Sequence, residues 1–327
     1  MSLCIEYKDP LNLSEELAKL GQATRITQFE NGGGRYKISA IQGKVVSLAE
    51  ISGSKTLLYE GWGNGSTVDF NWITALAKTK DSPGVCDGYK LTEKSIAGFA
   101  TINSKPQNSW GKYSSQCSST ACMVNKASFI DYLKSVKAFN ALERLTEGIG
   151  MECHGQALIQ LKKLTAKILQ SRVQIPAEKY FELLTGCLEQ PLEIHDAPIS
   201  TKNVDLLREI VRLAHDANSM EQPLTLAEVC DHIHTSQASL YRICQEQFGM
   251  GIIEMMTKIR LEESRRVLLN SELRYALKLH SIKDIAVRFG FKHTGRYARR
   301  YFTVFGELPS QTVERAHYYY QIQHSNN

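Results

Sequence analysis

The stretch SIKDIAVRFGFKHTGRYARRYFTVFGELPS, from Ser281 to Ser310, constrains the fold more than any other part of the chain. Ile282, Ile285, Ala286 and Phe289 recur at helical spacing and give a first helix one apolar face. Gly290 follows, a residue that takes positive φ at no steric cost and so turns the chain. A second helix then buries Tyr297, Tyr301, Val304 and Phe305. At about 100° per residue, Gly295, Arg296 and Arg299 fall on its opposite side. Within the two helices and their turn, up to Phe305, Lys283, Arg288, Lys292, Arg296, Arg299 and Arg300 stand against a single acid, Asp284. A helical hairpin with so cationic an outer face has the form of a major-groove DNA reader, although a solvated basic face gives the same local pattern.

A second copy upstream separates those readings. In PLTLAEVCDHIHTSQASLYRICQEQFG, Pro223 to Gly249, Leu226, Val229 and Ile233 face a core. Ala227 is small enough for a close helix crossing, His234 lies at the turn and Ser236 is an N-cap for the next helix. There Leu240, Ile243, Cys244 and Phe248 point inward. Ala238, Ser239 and Arg242 point outward, with Gln237 and Tyr241 at the edges. The copies pair Ala227 with Ala286, Leu240 with Tyr297, and Phe248-Gly249 with Phe305-Gly306; Ile243 and Arg300 match more loosely. Between them residues 251–270 lack an internal glycine or proline and read as one helix, about 30 Å long. Major-groove faces recur about every 34 Å on one side of a duplex, so such a rod suits two readers on one face. It suits the core of a small bundle as well.

These residues resemble the AraC/XylS family of bacterial transcription regulators. The likeness rests on LAEVC, Ser236, SLYRICQEQFG, the linker run from Arg260 to Arg265, and IKDIAVRFGF with GRYARRYF and FGELPS. It extends from about Leu206 to Arg315, and HTGRYARRY with FGELPS is similar to the XylS and ethanolamine-operon-regulator branch. The resemblance implies two helix-turn-helix units joined by a long helix, sequence-specific binding to double-stranded DNA and contact with RNA polymerase. It implies an activator answering a small-molecule effector; a repressor or dual regulator is the alternative. The expected DNA-binding residues are Gln237, Ala238, Ser239, Tyr241 and Arg242 in the first reading helix, and His293, Thr294, Gly295, Arg296 and Arg299 in the second. The chain departs from the family pattern at His234, a turn position often held by glycine, and at Phe302, where a lysine is usual. Ala238 offers a base edge only apolar contact, and Gly295 costs the helix about 1 kcal/mol of propensity.

The whole reads as two domains. Residues 1–190 form an α+β domain, a β-rich barrel or sandwich with helices; 191–204 a linker; and 205–327 an all-α DNA-binding domain with helix-turn-helix units at 224–249 and 281–306. RYKISAIQGKVVSLAEI, KTLLYEG, TVDFNWITAL and AGFATIN supply the strands, with NGGG and GNGS as turns rather than nucleotide-binding loops. Trp62, Phe70, Trp72 and Phe99, with Trp110, either line an effector pocket or fill the sheet core. After Lys126, KASFIDYLKSV, ALIQLKKLTAKILQ and PAEKYFELLTGCLEQ turn helical. Leu158, Leu161, Leu164 and Ile168 form a stripe for a homodimer seam or for packing within the chain.

Composition sets outer limits. Hydrophobic residues make up 43%, charged residues 22%, and the net charge is +5, so the clustered arginines carry more information than the total. No run reaches the roughly 18 apolar residues of a membrane span, and MSLCIEYKDP is no secretory or transit signal, which points to a bacterial cytoplasm. The eight cysteines form no CxxC pair and read as reduced thiols. Cys117, Cys122 and Cys153-His154 lack the tight pairing of a zinc site, and no cofactor is expected. An enzyme with an attached DNA reader, such as a repair methyltransferase, needs Pro-Cys-His-Arg-like surroundings. Cys153-His154 follows Met151-Glu152 and does not provide them.

Overall fold

A computed structural model describes residues 2–19, 24–61, 70–77, 84–99, 110–115, 118–148, 150–190, 201–216 and 224–325. The chain forms two compact units: Met1–Ile26 with Arg35–Arg208, and Thr27–Gly34 with Glu209–Asn327. The strands of the described residues form two sheets. Their strands are β1 (Ser2–Tyr7), β2 (Thr24–Gln28), β3 (Tyr36–Ile41), β4 (Val46–Gly53), β5 (Leu57–Gly61) and β6 (Phe70–Ala77). After these come β7 (Val85–Cys86), β8 (Tyr89–Lys90), β9 (Ser95–Ala97), β10 (Trp110–Tyr113), β11 (Ser118–Asn125) and β12 (Gly150–Glu152). The larger sheet has the order β1-β3-β4-β11-β6-β9-β12 and the smaller β2-β5-β10-β7-β8.

Alternation along the central strands gives the larger sheet two buried faces. Leu48 pairs with Cys122 and Ala49 with Ala121, so neighbouring residues point to opposite sides. Val46, Leu48, Cys122 and Val124 turn toward the helices α2 (Lys126–Ser135), α3 (Phe139–Glu147), α4 (Gln156–Ser171) and α5 (Ala177–Leu188). Ala49, Ile51, Met123, Ile38 and Ala40 turn toward Ile26, Leu57 and the helix α1 (Pro10–Lys19), which contributes Leu13 and Leu17. Helices α1 and α3 had no counterpart in the apolar pattern of the sequence. The remaining helices follow the expected runs.

Among the described residues, the second unit consists of Thr27–Gly34 and of helices with their connecting turns. Helix α6 (Thr201–Asp216) takes up the last four residues of the expected linker and crosses the boundary between the units; residues 191–200 lie outside the described residues. After it come α7 (Leu226–His232), α8 (Gln237–Phe248) and the linker helix α9 (Ile252–Leu269). The chain then makes α10 (Ser271–Ala276), α11 (Ile282–Arg288), α12 (Thr294–Phe305) and α13 (Pro309–Ser325). The linker helix has 18 residues, about 27 Å at the standard rise. Among the described residues, no helix is long and apolar enough to cross a membrane.

Candidate nucleic-acid interface

Both helical hairpins start the same way. Thr225 accepts a hydrogen bond from the Glu228 backbone while the Glu228 carboxylate accepts from Thr225, and Ser281 and Asp284 repeat the exchange before α11. Each box satisfies otherwise orphaned N–H groups of a short helix. The turns also repeat. The Thr235 N–H donates to the Cys230 carbonyl, as Phe291 does to Ala286. His234 takes φ 50° where Gly290 takes 78°, so the first turn holds a non-glycine residue in the left-handed region.

This geometry corrects one expected correspondence. Cys230, not Ala227, is the partner of Ala286; both are buried, whereas Ala227 is exposed. The second turn, 289–293 against 233–236, is one residue longer. The extra residue restores the pairing of Leu240 with Tyr297 and Phe248 with Phe305, all buried. Ser236 caps α8 as expected, accepting from Ser239 N–H at 3.2 Å. The helix α12 has His293 at its N-cap without a side-chain hydrogen bond, so its first N–H groups stay open to an anion.

Outward-facing side chains on α8 and α12 make the surface. Gln237, Ala238, Tyr241 and Arg242 are exposed on α8, and Ser239 is half-buried. His293, Gly295, Arg296 and Arg299 are exposed on α12, with Thr294 half-buried. Among the described residues Arg242, Arg296 and Arg299 form no ion pair, so their guanidinium donors remain available. Arg260 on the linker helix is half-buried near Arg300, and burial with that like charge lowers its pKa. The Tyr241 ring lies against the backbone of Gly251, where an added Cβ would sit 2.7 Å from Cε2. That contact ties α8 to the start of the linker helix. A Cβ at Gly295 would meet nothing within 4 Å, so the position opens outward. Phe302, 52% exposed, shares the outer side of α12, an apolar group beside cations.

What holds α12 in place was not visible in the apolar pattern. Ser264 and Arg265 of the linker helix are buried. Tyr297 OH donates to Ser264 Oγ at 3.1 Å, and Tyr301 OH lies 2.8 Å from Thr312 Oγ1. Arg265 sits 4.3 Å over the Phe305 ring and 3.1 Å from Glu307, which also receives Arg315 at 2.8 Å. A buried cation shared between a ring and a carboxylate fixes the end of the reading helix. Burial pushes the Tyr301 phenol well above its usual range, against the opposing charge of Arg265. Serine and arginine inside a helix repeat register as polar positions, which is why periodicity alone missed them.

The remaining candidates lie in the first unit. Phe99 is fully buried in the helix-facing core, and Trp110 is buried with its backbone N–H donating to Asp87 Oδ1 at 2.8 Å. Phe70 and Trp72 lie on β6, and Trp62 lies outside the described residues, as does Cys117. Leu158, Leu161 and Ile168 are buried in the same core as Phe99, and Leu164 is half-buried against it. Cys122 and Cys153 are buried too; burial pushes the Cys122 thiol above its usual range.

The capping carboxylates carry a pH signature. Hydrogen bonds from Thr225 hold Glu228 below its ordinary value of 4.5, and those from Ser281 hold Asp284 below 3.8. A depressed native pKa adds stability that is complete above the unfolded value and lost as pH falls through the native one. Wild type and a Glu228→Ala/Asp284→Ala variant should therefore differ in denaturation midpoint at neutral pH. The gap should close in the acid range below about pH 4. A gap of constant size would mean that the carboxylates do not act as caps.

Residues 229–315 match a family described as a helix-turn-helix domain. The "XylDLEGF operon transcriptional activator 2" of Pseudomonas putida is 25% identical over 146 residues, 45% of this chain and 85% of that protein. A "XylDLEGF operon transcriptional activator" of the same organism is 26% identical over 47% of this chain and 44% of its own length. The "Probable thc operon regulatory protein" of Rhodococcus erythropolis is 35% identical over 32% of this chain and 31% of its own length. The chain thus spans less than half the length of two of these three relatives. Among solved structures, the AraC-like transcriptional activator CuxR gives a TM-score of 0.42 at 11% identity, covering 81% of this chain and 95% of that one. A likeness so distant adds nothing to the assignment.

Proposed function

We propose that this chain is a regulator of the AraC/XylS family, an operon activator reading two successive major grooves, on the strength of its helix-turn-helix match over residues 229–315 and its similarity to operon activators. The observation that carries the reading is the pair of exposed, unpaired outward faces on α8 and α12, joined by one unbroken linker helix. Arg242 and Arg299 occupy the same place in the two copies and present forked donors suited to guanine. Activation is inferred from the operon activators that share this region, and contact with RNA polymerase goes with it. The sheet-bearing unit takes the role of effector sensor and homodimerisation module, with Trp62, Phe70, Trp72 and Phe99 as aromatic candidates for the pocket. Both the activation and the sensing belong to the bacterial cytoplasm.

The test starts with duplexes selected by the full chain from a random pool. Arg299→Ala should weaken binding to the selected duplex and relax preference at one base position, an effect of about 1–3 kcal/mol. Arg242→Ala should do the same about one helical turn away. Equal losses on selected and random DNA would reduce both arginines to phosphate contacts. A promoter fused to the selected site then separates activator from repressor by the sign of the response.

A further inference from the structure

Thr27–Gly34, TQFENGGG, belongs to the same compact unit as the reading helices although it lies far from them in sequence. Gln28 is fully buried, and its Nε2 lies 2.6 Å from the Glu30 carbonyl, 2.7 Å from that of Gly32 and 2.8 Å from that of Val304. One amide group thus folds the segment on itself and fastens it to the last turn of α12. The Gly32 N–H donates to the Thr303 carbonyl at 3.0 Å. Val304 and Thr303 carry carbonyls that a helix end leaves without an intrahelical partner. On the linker helix, Lys258 donates to the Phe29 carbonyl and to Asn31 Oδ1 at 3.2 Å, and one turn on Glu262 lies 3.5 Å from the Gln28 N–H. Phe29 is buried with its ring edge-on to Phe248, centroids 6.0 Å apart, in the last turn of α8. The segment therefore touches the ends of both reading helices and the rod between them.

The internal repeat supplies its own comparison. Gly249 and Gly306 end the two reading helices in the same left-handed conformation, φ 73°. A Cβ at Gly249 would meet nothing within 4 Å, while one at Gly306 would strike Gly33 N at 2.9 Å. The segment reaches α12 through glycine backbone and α8 through an aromatic ring. Its first two residues, Thr27 and Gln28, are the end of β2, and β3 begins two residues after Gly34.

We propose that Thr27–Gly34 is a strap that sets the spacing of the two reading helices, with Gln28 and Lys258 as its positioning residues. The inference rests on the two-groove DNA reading. Without the strap each helix still reads its own box, but the pair loses its fixed separation.

The experiment uses the full chain and duplexes it selects from a random pool, each tested intact and with either box scrambled. Gln28→Glu keeps the side-chain shape but sets a carboxylate against three carbonyl oxygens. It should bind the two-box duplex about tenfold more weakly, while affinity for each one-box duplex stays within about twofold. Inserting or deleting a base pair between the boxes should penalise wild type sharply and the variant little. Lys258→Met, which keeps the packed stem and loses the two donations, should shift both readouts in the same direction by less, and it carries the test if Gln28→Glu does not fold. Equal weakening on two-box and one-box duplexes would overturn the proposal, as would an unchanged spacing optimum in both variants. A wild-type chain that selects no duplex would instead remove the DNA reading on which it rests.

Discussion

Tyr301→Ala is expected to cost the second helix-turn-helix about 3–5 kcal/mol, the range for emptying a large buried aromatic site. Tyr301 is fully buried, packs at 4.6 Å between centroids on Phe305 and at 5.8 Å on Tyr297, and reaches Thr312 through its hydroxyl. A cost of that size approaches the whole stability of many domains. Loss of helical circular dichroism at lower denaturant, with loss of DNA binding, is the expected result. Tyr301→Phe keeps the ring and removes one hydrogen bond, so its cost should be about 1 kcal/mol. Thr312 retains Glu307 at 2.8 Å in that variant. Equal costs for the two substitutions would shift the stabilisation from the stacked rings to the hydroxyl network.

Much of the second unit was legible because helical spacing, a turn residue and an N-cap agree at each end of each helix. Leu240, Tyr297, Phe248 and Phe305 lie where periodicity put them. The correspondence slipped by three residues at Ala227, of which the extra residue in the second turn explains one, and the matching hydrogen bonds to the Cys230 and Ala286 carbonyls set the register. Lys258, Glu262 and Arg265 were illegible for a different reason. Their partners Phe29, Gln28 and Glu307 lie well away along the chain, two of them more than two hundred residues off, and no local pattern records such pairings. The run NGGG carries the composition of a turn. It does turn, but Gly33 also lets a helix end approach its backbone, which no composition argument could supply. In the first unit, the β-branched runs became strands where alternation was strong. The short helix α3 escaped because its buried residues, Ala141 and Leu145, are too few to set a period.

The stripe on α4 posed a choice between a seam joining two copies and a core within one. Leu158, Leu161 and Ile168 are buried in the first unit's own core, where α4 packs against α5, β3 and β4. Leu164 is half-buried and Ile159 is 44% exposed, so the outer side of the helix is what a second copy could still reach. Leu161→Asp puts an unpaired carboxylate among apolar groups on top of lost packing, at a cost of at least several kcal/mol. The expected outcome is an unfolded or aggregated sheet unit at neutral pH. Leu164→Asp lets its carboxylate reach water and should leave the fold intact. Sedimentation of Leu164→Asp then reads association without interference from unfolding: a shift toward monomer places the dimer contact on this helix, and an unchanged profile moves it elsewhere. A folded, monomeric Leu161→Asp protein would reverse the argument, since only a residue buried between copies can accept that charge by letting them part.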